Sequence, residues 1–193
     1  MLCYNQIFEL HSANWSRANK SGSYGIVIPR KCGTKVAKIS KKDFAYVRYV
    51  EYIMQTPHRS KHAPKIFAFH EDDGAFFIVI EKLEHLTDAE GDAWYNISPE
   101  NTGGSYKDRV ETLETIAQGS PIAAINAEAG TAAEIAGAKS MLSMYSSSFY
   151  TFSRKVVDVA EREGLCTDLH HQNVMVRACN GKRDLVITDP WCA

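Results

Sequence analysis

Apolar positions alternate with polar ones through most of the first third of the chain, and glycine or proline punctuates the runs. Tyr24 to Pro29 and Thr34 to Ile39 read as strands joined by the turn Lys31-Cys32-Gly33. Lys65 to His70 and Ala75 to Glu81 read as a second pair around Asp73-Gly74. Between the pairs the period changes. From Lys41 to Thr56, Phe44, Val47, Val50, Glu51 and Met54 recur at helical spacing, with Pro57 just beyond. After Leu86 the pattern is helical: Tyr106 to Gln118, an alanine-rich stretch from Pro121 to Lys139 weakened by Gly130 and Gly137, and a long helix from Ser140 to Glu163 stopped by Gly164. Asn173 to Arg177 and Asp184 to Thr188 close the pattern as a strand pair turning at Asn180-Gly181. The order predicts an α+β fold of two lobes. Residues 1–86 form an antiparallel sheet with one helix, and residues 87–193 form a short helical lobe, with Ser98 to Ser105 as its most irregular loop.

Composition narrows the class without naming it. The 193 residues are 45% hydrophobic and 23% charged, with a formal net charge of −1, so a general nucleic-acid binder with a basic surface is not expected. No apolar run approaches the length of a membrane span. Met1 to Leu10 has no basic lead and is interrupted by Asn5, Gln6 and Glu9, so it does not read as a signal peptide. The five cysteines are scattered and never spaced C-x-x-C, which suits reduced thiols in a cytoplasmic protein.

Four groups of residues carry the chemistry. Ser21-Gly22-Ser23-Tyr24-Gly25-Ile26-Val27 opens into a strand with glycines three apart, which lets backbone N–H groups approach a phosphate without Cβ interference; Gly22, Ser23, Gly25 and Val27 are its candidate contacts. Set against the glycine loop of protein kinases, Lys20 replaces the first glycine. Lys38, thirteen residues after Gly25, ends an alternating strand and suits the lysine that holds the α- and β-phosphates of ATP. Glu51, on the apolar stripe of the first helix, is expected to be its ion-pair partner, because a carboxylate on a buried face needs a cation. The last group is Asp168-Leu169-His170-His171-Gln172-Asn173-Val174-Met175, followed by Ile187-Thr188-Asp189-Pro190. An Asp five residues before an Asn at a strand entry, with a second Asp at the end of the paired strand, supplies a base and two hard oxygen ligands for Mg²⁺. The two histidines are adjacent and point apart, with no third ligand at a usual spacing, so no zinc site is expected.

The last two runs resemble the early-region serine/threonine protein kinase of T-odd podophages, whose members carry a similar D-[ML]-H-x-x-N-[IV]-M and I-T-D-P. The close match covers about the last 25 residues. The resemblance implies a minimal protein-kinase-like fold that binds ATP and Mg²⁺ and phosphorylates host bacterial proteins on Ser and Thr. Asp168 would be the base, Asn173 and Asp189 the magnesium ligands, Lys38 the phosphate lysine and Glu51 its partner. ATP would lie between the lobes with adenine against Glu81-Lys82-Leu83. The departures are specific. Cys166-Thr167 stands where many kinases have His-Arg, His170 where protein kinases place Lys, and Trp191 where the D-F-G phenylalanine would be. Four residues follow Asp189, so the reading expects no activation segment and no peptide-binding helices beyond it. His170 is shared with aminoglycoside-type phosphotransferases, which keeps a small-molecule kinase in view. A catalytically dead nucleotide-binding module that docks a host protein is the third reading.

Overall fold

The computed structural model describes residues 19–20, 25–41, 43–56, 60–72, 74–99, 104–119 and 131–192. The chain forms two compact units. One comprises residues 1–59 and 64–82, the other residues 60–63 and 83–193. The division at Lys82/Leu83 differs from the sequence boundary at 86, and Ser60–Ala63 belongs to the second unit although its neighbours on both sides belong to the first.

In the first unit β1 (Asn19–Lys20), β2 (Gly25–Pro29), β3 (Lys35–Lys41), β4 (Ile66–Asp72) and β5 (Ala75–Glu81) build one antiparallel sheet in the order β1-β2-β3-β5-β4. Gly33 and Gly74 take positive φ in the two predicted turns, at 74° and 68°. Strand pleating separates two faces. Ile28, Ala37, Ile39 and Phe77 form a buried cluster on one of them. Lys38 stands opposite Val27 and Ile78, on the other.

Helix α1 (Phe44–Gln55) covers the Lys38 face, with the rings of Tyr46 and Phe76 5.6 Å apart. Its buried residues are Ala45, Tyr46, Val47, Tyr49, Val50 and Ile53, so Val47 and Val50 of the expected stripe face the core, whereas Phe44 and Met54 are 59% and 44% exposed. The sequence stripe was therefore rotated. Two tyrosines and Ile53 mark the core face, and at 100° per residue Glu51 lies roughly 150° from its centre.

The second unit contains α2 (Asp88–Tyr95), α3 (Tyr106–Ala117), α4 (Ala132–Met144) and α5 (Ser147–Glu163). A three-stranded sheet pairs β6 (Glu84–His85), β8 (Val174–Cys179) and β9 (Lys182–Ile187), and a short ladder pairs β7 (Cys166–Thr167) with β10 (Trp191–Cys192). The long helix expected over 140–163 is two helices. Tyr145 and Ser146 are extended, and the Ser146 side chain caps α5 by accepting from the Phe149 N–H at 3.2 Å. The apolar spacing persists across the break because Tyr145 and Phe149 still pack together, 5.8 Å between rings. Gly164 ends α5 at φ 69°, as its position suggests. The first ten residues of the alanine-rich stretch, 121–130, lie outside the described residues. Asn180 and Gly181 turn β8 into β9 with φ 50° and 74°, the left-handed pair that a two-residue hairpin favours.

Helix α2 was not predicted. Its charged sequence shows no apolar stripe, but Thr87 and Glu90 form a complete capping box, a T-x-x-E signal legible in the sequence. It lies close against α4, where a Cβ on Gly137 would collide with the Ala89 carbonyl. Trp94, Leu113, Met141, Phe149, Leu169, Leu185 and Ile187 are fully buried in this unit. The segment 60–63 is tied to the β8–β9 hairpin. His62 meets the Leu185 carbonyl at 2.8 Å and the Ser148 hydroxyl at 2.9 Å, Ile187 N–H donates to the His62 carbonyl, and Arg177 donates to the carbonyls of Lys61 and Ala63. Burial lowers the His62 pKa below its ordinary value. Among the described residues no helix is long and apolar enough to cross a membrane.

Candidate active site

Asp168, Asn173 and Asp189 come together, and the backbone brings them there. Asp168 follows β7 directly and Asp189 lies two residues before β10, so the β7–β10 ladder brings them close together. The Asp168 N–H donates to the Pro190 carbonyl at 2.7 Å. One residue before Asp189, Thr188 donates to the Asn173 carbonyl twice, through its N–H at 2.8 Å and its hydroxyl at 3.0 Å. Both neighbours of Asp189 are thus bonded to the other two members of the set. A 3₁₀ turn, His171–Asn173, delivers Asn173 to the start of β8.

Side chains complete the cluster. The Asn173 amide Nδ2 donates to the Asp168 carbonyl at 2.8 Å and to its carboxylate Oδ2 at 3.1 Å. These contacts use both amide hydrogens and turn Oδ1, the metal-competent atom, the other way. His170 accepts the Gln172 N–H at Nδ1, 3.1 Å, so a neutral ring carries its proton on Nε2, which lies 3.4 Å from Asp168 Oδ1. With both amide hydrogens committed, the 3.1 Å approach of Asn173 Nδ2 to the same Nε2 is a packing contact rather than a hydrogen bond. The Asp168 carboxylate is 42% exposed, accessible to a reactant while steered by two neighbours.

Three residues that the sequence reading did not single out support this loop, all on α2. Trp94 donates through Nε1 to the Leu169 carbonyl at 2.7 Å, fixing the backbone one residue after Asp168. Gly91 leaves room for His171, whose ring would lie 3.4 Å from a Cβ there. Glu90, buried, holds Arg183 of β9 at 2.6 Å, Ser140 of α4 at 2.5 Å and the Thr87 N–H at 2.9 Å. Burial alone would raise its pKa. The hydrogen bonds from Arg183, Ser140 and Thr87 outweigh that and hold it down to about 2.

In the first unit the expected Lys38–Glu51 pair is absent. Glu51 pairs instead with Arg48 at 3.3 Å on the helix surface. Lys38 Nζ lies 3.7 Å from Asp43 Oδ2 and 3.5 Å from the centre of the Tyr46 ring. Asp43 is the N-cap of α1, its side chain accepting from the Tyr46 N–H at 3.3 Å. The helix thus meets the lysine with its N-terminal cap, and its core face carries tyrosine and aliphatic residues where a carboxylate was expected.

Of the glycine loop, Gly22 and Ser23 lie outside the described residues, while Gly25 begins β2 and Val27 pairs with Lys38. Glu81 is buried at the end of β5, its carboxylate accepting the Lys65 N–H at 2.8 Å. Its own N–H donates to the Lys65 carbonyl, and that of Lys82 to the Thr34 carbonyl. Glu81 therefore closes the sheet with its side chain, and Leu83 is buried in the second unit.

Among the described residues no group of three or more His, Cys, Asp or Glu side chains is arranged to hold a metal by itself. The set of one Asp189 carboxylate and one Asn173 amide oxygen fits a hard cation that takes its remaining ligands from water and phosphate, as Mg²⁺ does.

No family model matches the chain, and no curated protein matches it. Among solved structures the chain is similar to the crystal structure of Rad53 1-466 in complex with AMP-PNP, with 14% sequence identity and a TM-score of 0.42. The match covers 91% of this chain and 38% of that one, so this chain spans less than two-fifths of the length of the protein it resembles.

Proposed function

We propose that this protein is an ATP-dependent phosphotransferase of minimal kinase-like form, with Asp168 as base and Asn173 and Asp189 as the ligands of Mg²⁺. The observation that carries the reading is the backbone clamp that joins Asp168 to Pro190 and Asn173 to Thr188, uniting three residues drawn from two stretches of sequence. Mg²⁺, when bound, neutralises charge on the phosphates. Asp168 Oδ1 takes the proton of the acceptor hydroxyl as its oxygen attacks the γ-phosphorus and the bond to the ADP oxygen breaks. Asn173 holds Oδ2, so the carboxylate presents one oxygen to the reaction. A positioned base of this kind is worth about 10²–10⁴-fold in rate.

The acceptor in the first reading is a serine or threonine of a protein, and the terminal-motif resemblance extends it to host bacterial proteins under phage infection. A second reading, a small-molecule hydroxyl, is favoured by His170, which stands beside Asp168 where protein kinases place lysine. Labelled γ-phosphate and a bacterial lysate separate the two: label in protein bands supports the first, label in the small-molecule fraction the second. Asp189→Asn should abolish the Mg²⁺ dependence of ATP binding. Binding equally Mg²⁺-dependent in that variant would remove Asp189 from the site.

A further inference from the structure

Cys166 and Cys192 are the outer rung of the β7–β10 ladder, directly opposite one another, while Trp191 and Thr167 form the inner rung. The Asp168 N–H to Pro190 carbonyl bond makes the next rung inward a hydrogen-bonded one. Antiparallel rungs alternate, so the cysteine rung is again of the hydrogen-bonded kind, with Cα atoms about 5.5 Å apart. That Cα spacing lies within the range a disulfide spans, about 4.4–6.8 Å, while the Cβ atoms of such a rung, about 5.5 Å apart, must close to about 4.5 Å, which strains the bond and makes it readily reducible. Side chains of opposed residues share a face. Trp191 is buried, its indole donating to the Val156 carbonyl at 3.0 Å, so the cysteine rung faces the other way, with Cys166 exposed and Cys192 half-buried. Both are thiols in this structure, and Cys192 Sγ approaches the Thr167 carbonyl at 3.9 Å, toward the opposite strand.

From this rung we infer a redox modification site: Cys166 and Cys192 form a reversible cross-strand disulfide on reaction with a low-molecular-weight disulfide such as oxidised glutathione. Cys166 loses its proton to solvent and its sulfur attacks the small disulfide, giving a mixed disulfide and one small thiolate. Cys192, likewise deprotonated, attacks the Cys166 sulfur and displaces the second thiolate. Two protein thiols are oxidised and one small disulfide is reduced. The new bond closes the chain from Cys166 to Cys192 into a ring that contains Asp168, Asn173 and Asp189.

The test uses the full chain, equilibrated with oxidised glutathione, quenched with an alkylating agent and digested with trypsin. Cleavage puts Cys166 in the peptide 163–177, Cys179 in 178–182 and Cys192 in 184–193. The expected product is the first of these linked to the third, two hydrogens lighter than their sum, lost again on reduction. In Cys192→Ser the link should vanish and Cys166 should carry glutathione instead. Glutathione adducts on both cysteines of the unsubstituted chain, or both recovered alkylated while Cys32 is modified, would overturn the inference.

Discussion

Glu90 ties three elements of the second unit together, and its ionisation predicts how that unit responds to acid. A fall in pKa from 4.5 to about 2, at about 1.4 kcal/mol per pH unit, corresponds to about 3 kcal/mol. The Arg183 side chain is one-third exposed, and solvent screening trims this to about 2–3 kcal/mol. The sign follows from linkage. The folded protein binds this proton more weakly than the unfolded chain, so the stabilisation is complete above about pH 4.5. It shrinks as pH falls through the folded value and is gone below about pH 2. Glu90→Gln removes the charge at every pH. In urea unfolding, the stability gap between the parent and Glu90→Gln should be about 2–3 kcal/mol near pH 6 and less than half of that near pH 3. An equal gap at both pH values would show that Glu90 acts through shape alone and would refute the electrostatic account. The consequence reaches the candidate site, because the helix that Glu90 fixes is the one whose Trp94 holds the Leu169 carbonyl.

Two further outcomes test the packing and the lysine environment. Gly137→Ala places a methyl group against the Ala89 carbonyl and should destabilise the protein by about 1–3 kcal/mol in thermal or urea unfolding, although alanine is the better helix former; a stabilised variant would contradict the close α2–α4 approach. Glu51→Ala breaks a surface pair and should change stability by less than about 1 kcal/mol and nucleotide affinity by less than about twofold. Asp43→Ala, which removes both the α1 cap and the carboxylate beside Lys38, should cost about 0.5–2 kcal/mol and weaken nucleotide binding; the reverse ranking would restore Glu51 as the partner of Lys38.

Much of this architecture was legible in the sequence because it rests on local signals. Glycine turns at 33 and 74, the Asn-Gly hairpin at 180–181 and period-two alternation located the strands, and β5 runs from Ala75 to Glu81 as read. The grouping of Asp168, Asn173 and Asp189 was legible too, since a fixed spacing around a hairpin constrains where its ends can meet. What failed depends on tertiary choice. Val47 and Val50 are buried as the stripe requires, but Phe44 and Met54 are exposed while Tyr46, Tyr49 and Ile53 are buried, and periodicity alone cannot fix the centre of the buried face when the tyrosines are counted as polar. Glu51 fell with that error. Helix α2 carries its information in a cap and one tryptophan rather than in a stripe. Gly137 looked like a flaw in a helix because the close neighbour that requires it lies on an unpredicted element. The opposition of Cys166 and Cys192, 26 residues apart, becomes visible only once the β7–β10 register is known.

Transfer of labelled γ-phosphate from Mg-ATP, measured for the parent protein and for Asp168→Asn with ATP binding followed in parallel, decides whether Asp168 is the base of a phosphotransferase. The parent should transfer phosphate, the variant should lose about 10²–10⁴-fold in rate, and ATP affinity should change little. Equal transfer by both proteins, or ATP bound with no transfer by either to protein or small-molecule acceptors, would contradict that reading.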